Sequence, residues 1–278
     1  HRSLTSLVGV SVHELMHSWY QMVLGFNESY YYWMDEGFTN YAAERVMNHL
    51  RSKGLIPGDP DPRPFESFYN GYIDLVMSGV EEPLSTHADH FEDAGAYGAA
   101  AYQKGALFLY QLEYVIGKPA FDQGLLDFFN TWKFKHPDDN DFIRVMEKSS
   151  GLELDWYRDY MVYSLKTVDY SVDTVFAYQE QSAIILERIR DMPMPIDVVI
   201  NTKAGTQLYY TIPLDIMRGA KEERGPDDKP YELLHDWNWV NPSYLFVVPF
   251  TPDQIQSVTI DPYMRMLDLD RENNVWAY

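Results

Sequence analysis

Two histidines and a glutamate near the start of the chain have the types and spacing of a metal site. The segment His13-Glu14-Leu15-Met16-His17 follows the pattern H-E-x-x-H. On an α-helix, residues four apart differ by about 40° around the axis and by about 6 Å along it, so both imidazoles project from one face and can share a metal ion. Glu14 lies about 100° round from His13, so its carboxylate can reach a water on that metal without being a ligand.

The third ligand has to come from another part of the chain. There is no cysteine, so any metal must be held by histidines and carboxylates. A catalytic zinc takes three protein ligands and keeps one position open. The pattern of apolar residues predicts a first helix that stops near Gly25 and a second that begins at Asp35 as its N-cap, so that the second folds back beside the first. Glu36 on that second helix is the predicted third ligand.

A metal-free interpretation treats His13 and His17 as core histidines and Glu14 as their solvated neighbour. From Leu4 to Leu24 apolar residues lie on every side of the helical wheel, which is typical of a helix that is buried all round. Three unpaired ionisable groups on such a helix would carry a large desolvation cost without a metal. The metal interpretation is therefore favoured.

The pattern farther along the chain changes from helical to β-type. Residues 1–168 are predicted to be mainly helical and residues 169–278 to form an antiparallel β-sandwich, which makes the fold α+β and multidomain. Further helices are expected at about 64–79, 94–116, 119–133, 140–149 and 153–164. Strands are expected at about 172–180, 182–190, 196–202, 207–213, 243–250 and 256–261. Turns are expected between strands, among them 203–205 and 225–228.

Composition excludes several classes of partner. The chain has 278 residues, with 22 basic against 42 acidic side chains and a net charge of −20. This balance leaves no broad basic surface to neutralise phosphates, so nucleic acid and anionic lipid are poor candidates and neutral or cationic ligands fit better. The sequence contains no apolar run of about 18 residues, so no transmembrane helix is predicted.

Further residues extend the metal motif into a longer pattern. Eighteen residues separate His17 from Glu36, which lies within Trp33-Met34-Asp35-Glu36-Gly37-Phe38. Downstream follow Pro83-Leu84-Ser85-Thr86 and a segment from Ala96 to Gly105 that ends in Tyr-Gln-Lys-Gly. This combination resembles the aminopeptidase-N-like family of zinc metallopeptidases, a branch of the gluzincins (HExxH-x18-E). The resemblance is highly specific through the Tyr-x-Lys-Gly segment, and a weaker similarity extends to about residue 168.

The resemblance implies a thermolysin-like catalytic half-domain with one zinc ion per chain, held by His13, His17 and Glu36. In this family a tyrosine just before an x-Lys-Gly step stabilises the tetrahedral intermediate, and another tyrosine five residues earlier lines the substrate site. Tyr102 matches the first of these positions and Tyr97 the second. The β part resembles the domain that follows the catalytic domain in this family.

The implied function is that of a zinc-dependent metallopeptidase, in the first place an aminopeptidase that removes N-terminal residues from peptides. The implied mechanism is attack by zinc-bound water, with Glu14 as the general base. One alternative is an endopeptidase or related zinc hydrolase with the same centre. Another is a non-catalytic scaffold or interaction module that retains a relic zinc site. The family's Gly-x-Met-Glu-Asn segment, whose glutamate holds the substrate's α-amino group, would lie upstream of this chain.

Two positions depart from the family pattern. Asp35 stands where asparagine is frequent, and Ala43, followed by Glu44, stands where a glutamate is frequent seven residues after the third ligand. The chain is also expected to be a piece of a longer polypeptide, because a helix buried all round needs cover from an upstream sheet or from another chain. An extracytoplasmic, bacterially exported location is implied by the resemblance alone.

Overall fold

The computed structural model describes residues 4–222, 224 and 230–277, and these form two compact units. The helical unit takes in the described residues through Glu113 together with Pro119–Ser149 and Tyr157–Leu165. The β unit takes in Tyr114–Lys118, Ser150–Trp156 and the described residues from Lys166 onward. In these ranges no helix combines the length and the apolar character needed to cross a bilayer. The turn predicted at 225–228 lies outside the described residues.

The α-helices agree with the predicted ones to within a residue or two at most ends, with exceptions at the start. Their bounds are α1 Leu4–Met16, α2 Tyr32–Ser52, α3 Glu66–Ser78, α4 Ala94–Gly98, α5 Gly105–Ile116, α6 Lys118–Trp132, α7 Asp139–Ser150 and α8 Asp155–Tyr163. Between α4 and α5 the chain stays helical, but Ala99–Lys104 form a π-helical turn, in which the Gly105 amide donates to the Ala100 carbonyl five residues back.

Helix α1 differs most from its prediction. It ends at Met16 and the chain continues in turns, where the Ser18 amide donates to the Leu15 carbonyl and the Leu24 amide to the Trp19 carbonyl. None of its residues is buried. The prediction of a helix to Leu24 that is buried all round is therefore wrong. Apolar composition alone does not separate a helix from compact turns, nor a covered face from an exposed one.

Helix α2 supplies the centre of the helical unit's core. It begins at Tyr32 rather than at the predicted N-cap Asp35, whose carboxylate instead contacts His17. Its aromatic side chains interlock with those of later helices, so that the Trp33 ring lies 4.9 Å from the Phe108 ring. Fully buried rings of this size contribute about 1.5–3 kcal/mol each. The helix that carries Glu36 is thus fixed on its inner side.

Helices α2 and α5 cross with their backbones in contact. A Cβ placed on Gly37 would lie 2.5 Å from the Gly105 backbone, and one placed on Gly105 would lie 2.7 Å from the Trp33 carbonyl oxygen. Both positions therefore need glycine for lack of space. This crossing brings the residues before Gly105, including Tyr102, close to Glu36 on α2.

The β unit contains two sheets. Its strands are β1 Tyr170–Tyr178, β2 Gln181–Arg188, β3 Ile196–Thr202, β4 Gln207–Ile212, β5 Glu232–Leu233, β6 Ser243–Val248, β7 Ile255–Ile260 and β8 Val275–Ala277. The orders are β1-β2-β6 and β5-β4-β3-β7-β8, antiparallel except where β5 pairs parallel with β4. The second sheet is therefore mixed and not antiparallel throughout. Strands β5 and β8 are too short for an alternating pattern to predict them.

We expect Gly105→Ala to lower the free energy of unfolding by about 1–3 kcal/mol or more, because the added methyl overpacks a backbone crossing. Gly98→Ala is the matched control: a Cβ there meets nothing within 4 Å, and Gly98 lies in the same helical run. The control should be neutral or stabilising by up to about 1 kcal/mol. Urea denaturation measures both, and equal effects of the two variants would contradict the crossing.

Candidate metal centre

Three ligand-type atoms converge where α1 meets α2. The Nε2 atoms of His13 and His17 lie 3.2 Å apart, and each lies 3.3 Å from Oε2 of Glu36. A tetrahedron with arms of about 2.0–2.1 Å, the usual length for zinc with nitrogen and oxygen ligands, has edges of about 3.3–3.4 Å. Among the described residues this is the one group of three or more such side chains that could hold a metal ion. The three atoms thus match one face of a zinc tetrahedron.

Asn40 fixes the tautomer of His13. The Asn40 Nδ2 group donates to the Tyr102 carbonyl oxygen at 3.1 Å, which leaves its Oδ1 facing Nδ1 of His13 at 2.9 Å. Because Oδ1 only accepts, Nδ1 must carry the proton. In the neutral ring Nε2 then bears the lone pair, which is the form that binds a metal.

Asp35 has the same effect on His17. Its Oδ1 lies 2.8 Å from Nδ1 of His17, and the Tyr20 carbonyl and Thr39 hydroxyl oxygens lie 3.3 Å from the same nitrogen. The carboxylate accepts the Nδ1 proton and orients the ring. Both imidazoles therefore direct lone pairs to the point that Glu36 faces.

The arrangement of these atoms calls for a cation. Oε2 of Glu36 is buried without a hydrogen-bond partner among the described residues, and it faces two ring nitrogens whose neutral forms have no proton there. Three converging acceptors repel one another unless a positive charge lies between them. Two imidazoles and one carboxylate are also the donor set of many catalytic zinc sites. The residues present therefore fit a zinc ion.

The pKa shifts show how strongly these groups interact. Burial opposes ionisation of Glu36, but the interaction with the nearby His13 ring and the hydrogen bond from Tyr102 outweigh it and hold the pKa of the carboxyl below its usual value. The proximity of the Glu36 carboxylate in turn raises the pKa of His13 against the effect of burial, and the nearby charge of Glu14 adds to this. Burial raises the pKa of Asp35 to about 7, although the proximity of His17 acts in the opposite direction.

Tyr102 lies beside the three converging atoms. Its hydroxyl donates to Oε1 of Glu36 at 2.7 Å, and its ring lies 6.0 Å from the His13 ring. Burial and the contact with Glu36 raise the pKa of Tyr102, so the phenol keeps its proton. The side chain is 37% exposed, and a group bound at the centre could reach it. It thus presents a neutral hydrogen-bond donor at the edge of the metal centre.

The other two predicted site residues lie near the centre without contacting its ligands in this structure. Glu14 is exposed on α1, directly after His13. The Tyr97 ring packs against Tyr32 at 5.0 Å and Phe91 at 5.5 Å. Burial, with the negative charge of Glu36 as the next cause, raises the pKa of Tyr97.

Comparison with known families bears on the same part of the chain. The peptidase family M1 domain matches residues 1–161, more than half of the sequence and all of the residues that form the centre. The chain belongs to peptidase family M1. The resemblance to the aminopeptidase-N-like metallopeptidases is thereby confirmed, and M1 membership implies zinc as the metal.

Individual relatives of this M1 chain are enzymes or enzyme homologues. A leukotriene A-4 hydrolase homolog of Botryotinia fuckeliana is 27% identical over 49% of this chain and 21% of the relative. Leucine aminopeptidase 2 of Sclerotinia sclerotiorum is 29% identical over 49% of this chain and 22% of the relative. The chain therefore spans about a fifth of the length of these curated relatives.

A solved structure shares the fold of this M1 chain. Legionella pneumophila aminopeptidase A, solved with aspartic acid, has a TM-score of 0.60 and 16% identity over 94% of this chain and 26% of that protein. At this identity the similarity concerns the fold alone. It confirms the expected α+β class.

The surroundings of the two histidines show what lies at the positions that depart from the M1 pattern. Asp35 faces His17, and its carboxylate accepts a hydrogen bond from the His17 ring. Position 43 is alanine. The neighbouring Glu44 forms an ion pair with Arg51 at 3.3 Å and does not contact either histidine. His13 is oriented by Asn40, a residue that was not predicted from the sequence. Asn40 lies four residues after Glu36 and therefore on the same face of α2, and this spacing could have indicated its place beside the centre.

We expect Asp35→Ala to weaken zinc binding by about 10- to 100-fold, because it removes the carboxylate that orients His17. Glu44→Ala is the control, since Glu44 lies on the same helix and forms an ion pair but does not contact a histidine. Its zinc dissociation constant should stay within about twofold of the wild-type value. Competition with a chromophoric chelator measures both, and a normal zinc affinity in Asp35→Ala would contradict the assigned role.

Proposed function

We propose that the polypeptide containing this chain is a zinc-dependent metallopeptidase, and that it acts as an aminopeptidase on peptide substrates. The observation that carries this proposal is the triangle of His13 Nε2, His17 Nε2 and Glu36 Oε2 with sides of 3.2–3.3 Å. Membership of family M1 and relatives with the name leucine aminopeptidase support the same activity.

We propose one zinc ion per chain, with His13, His17 and Glu36 as its protein ligands. When bound, the metal supplies Lewis acidity, which makes a water molecule acidic near neutral pH and polarises a carbonyl group. The protein's part is to fix the three donors and to leave one side open. Asn40 and Asp35 do the first of these by holding each imidazole through its Nδ1 atom.

Glu14 is the proposed general base. Its position beside His13 places a carboxylate near the centre but outside the group of converging atoms. A carboxylate there accepts the proton of the attacking water and later donates it to the leaving amine. Glu14 is exposed on α1, so no described residue covers its carboxylate.

Tyr102 is the proposed donor to the oxyanion. Its phenol is protonated and already donates to Glu36, so a small rotation would bring it to an oxygen that develops charge at the same centre. Tyr97 is the proposed substrate-lining residue. Its half-buried ring packs in an aromatic cluster with Tyr32 and Phe91, and such rings bind apolar parts of a ligand.

Glu14→Gln should retain zinc and lose about 10²–10⁴ in kcat, because it removes the proton acceptor and leaves the ligands in place. Metal analysis and hydrolysis of an aminoacyl chromophore by the full-length polypeptide test this. Near-normal turnover would contradict the general-base role. Hydrolysis of N-terminally blocked peptides instead would favour an endopeptidase, and bound zinc without hydrolysis would favour a scaffold with a relic site.

We also propose that further polypeptide covers the outer face of α1, from upstream in the same chain or from another chain. The face is apolar and exposed: its residues include Leu4, Leu7, Val10 and Leu15, which are 63%, 58%, 45% and 56% exposed. A row of this kind on the helix that carries the metal motif is typical of a contact surface. The limited share of its relatives that the chain spans supports a covering segment outside it.

Residues 1–278 alone should therefore bind an apolar fluorescent dye or self-associate, and Leu7→Glu should reduce either effect, because it places a charge on that face. Met77→Glu is the control, as Met77 is 77% exposed on α3. In the full-length polypeptide Leu7→Glu should instead destabilise folding. A full-length protein that tolerates Leu7→Glu as well as Met77→Glu would contradict the proposal.

A further inference from the structure

The helical run that carries Tyr97 and Tyr102 changes its geometry between them. Ala99–Lys104 form a π-helical turn, whereas the residues on either side are α-helical. A π-helical turn contains more residues than an α-helical one, so it changes the direction of the side chains within it, and such turns are frequent at functional sites. The direction of the Tyr102 side chain therefore depends on the contacts that hold this turn in place.

A buried ion pair lies at the end of the π-helical turn. Nζ of Lys104 lies 2.7 Å from Oε1 of Glu81, and the two side chains are only 4% and 7% exposed. Lys104 is the last residue of the turn and follows Tyr102 by two positions. A pair that is desolvated to this degree is confined to a narrow geometry, because separation would leave each charge buried and unpaired.

The partner loop is itself fixed to the core of the helical unit. Glu81 lies in the loop after α3, where the Tyr32 hydroxyl donates to the Leu84 carbonyl oxygen at 3.1 Å. The Ser85 amide donates to the Val162 carbonyl oxygen at 3.0 Å. These contacts fix the loop three and four residues after Glu81, and the Glu81 side chain is itself only 7% exposed.

The other sides of the π-helical turn are also close to neighbouring helices. A Cβ on Gly71 of α3 would lie 2.6 Å from the Gln103 side chain, and Gly105 touches α2. The Asn40 amide donates to the Tyr102 carbonyl oxygen. Among these contacts, the ion pair with Glu81 is the one that involves a buried charged side chain of the turn, that of Lys104.

We propose that the Glu81–Lys104 ion pair is a positioning device for Tyr102: it holds the π-helical turn so that the Tyr102 hydroxyl is directed to Glu36. Neither charged group contacts the metal centre, so both act through the turn. The kinetic part of this inference rests on the proposed peptidase function. The metal-binding part does not, since it concerns the hydrogen bond from Tyr102 to a ligand.

The test is a double-mutant cycle in the full-length polypeptide, with Glu81→Gln and Tyr102→Phe alone and together. Glu81→Gln should lower kcat about 10- to 100-fold and change KM by less than about twofold, because misplacement by about 1 Å has effects of this size. In the Tyr102→Phe background it should change kcat by less than about twofold. Equal losses in both backgrounds would overturn the proposal, because a general loss of structure does not depend on the tyrosine hydroxyl.

Glu113→Gln is the matched control. Glu113 is a similarly buried carboxylate, 10% exposed against 7% for Glu81, and it pairs with Arg45 and accepts from Tyr41. The control should lose stability while kcat stays within about twofold of wild type. If it lowered kcat as much as Glu81→Gln does, the proposal would fail. Lys104→Met provides a second variant without a buried unpaired ammonium group, and the same non-additivity is expected from it.

Zinc affinity gives a readout that does not require activity. Tyr102→Phe removes a donor to Glu36 and should weaken zinc binding by about tenfold. Glu81→Gln should weaken it similarly, and the double variant no further. A wild-type zinc dissociation constant in Glu81→Gln would overturn the inference. If the wild-type protein hydrolysed no peptide, the proposed function would fail. The zinc affinities of the two single variants and the double variant would still decide whether the ion pair positions Tyr102.

Discussion

Three atoms with lone pairs are held 3.2–3.3 Å apart between α1 and α2, and the helical unit is arranged around that constraint. Their convergence is unfavourable by itself, because one atom belongs to a buried carboxylate and the other two to imidazoles whose protons are on the far nitrogen. A divalent cation converts the repulsion into attraction. Metal binding and folding of this region are therefore coupled, since the folded state forms the site and the unfolded chain does not.

Asn40 connects the proposed metal ligands to the hydroxyl proposed to stabilise charge. Its oxygen fixes the tautomer of His13, while its nitrogen holds the backbone of Tyr102. The Tyr102 hydroxyl in turn contacts Glu36. A displacement of the π-helical turn would thus affect two of the converging side chains, His13 through Asn40 and Glu36 through the phenol. The contact of α2 with Gly105 makes such displacement difficult, because the two backbones already touch.

The sequence predicted the centre better than it predicted the elements that carry it. The spacing of His13, His17 and Glu36 was sufficient to predict that these side chains converge, because a helix places residues four apart on one face. The true end of α1 at Met16 could not be predicted, since the apolar residues continue through the turns to Leu24. The π-helical geometry of Ala99–Lys104 was also invisible, because the amino-acid pattern there is compatible with an ordinary α-helix.

The fold, like the centre, was predicted where local sequence determines the structure and not where tertiary contacts do. Longer strands rich in β-branched residues, such as β2 and β3, were predicted closely, whereas β5 has only two residues and is too short to show any pattern. The contacts of Asn40 and of Glu81 depend on which helices cross and at what height, which local sequence does not determine. The three converging side chains were therefore predictable from spacing, whereas the residues that orient them required the tertiary structure.

The two histidines have unlike partners, and this difference has a chemical consequence. The His13 ring donates to a neutral amide, while the His17 ring donates to Asp35, whose pKa of about 7 reflects its burial. A cation at the centre would favour the ionised form of Asp35, because opposite charges at short range stabilise each other. Two carboxylates would then neutralise the two charges of the cation. A carboxylate at position 35 in place of an amide would thus strengthen retention of the metal and reduce its Lewis acidity, and more of the stabilisation of an oxyanion would then fall to the donor proposed on Tyr102.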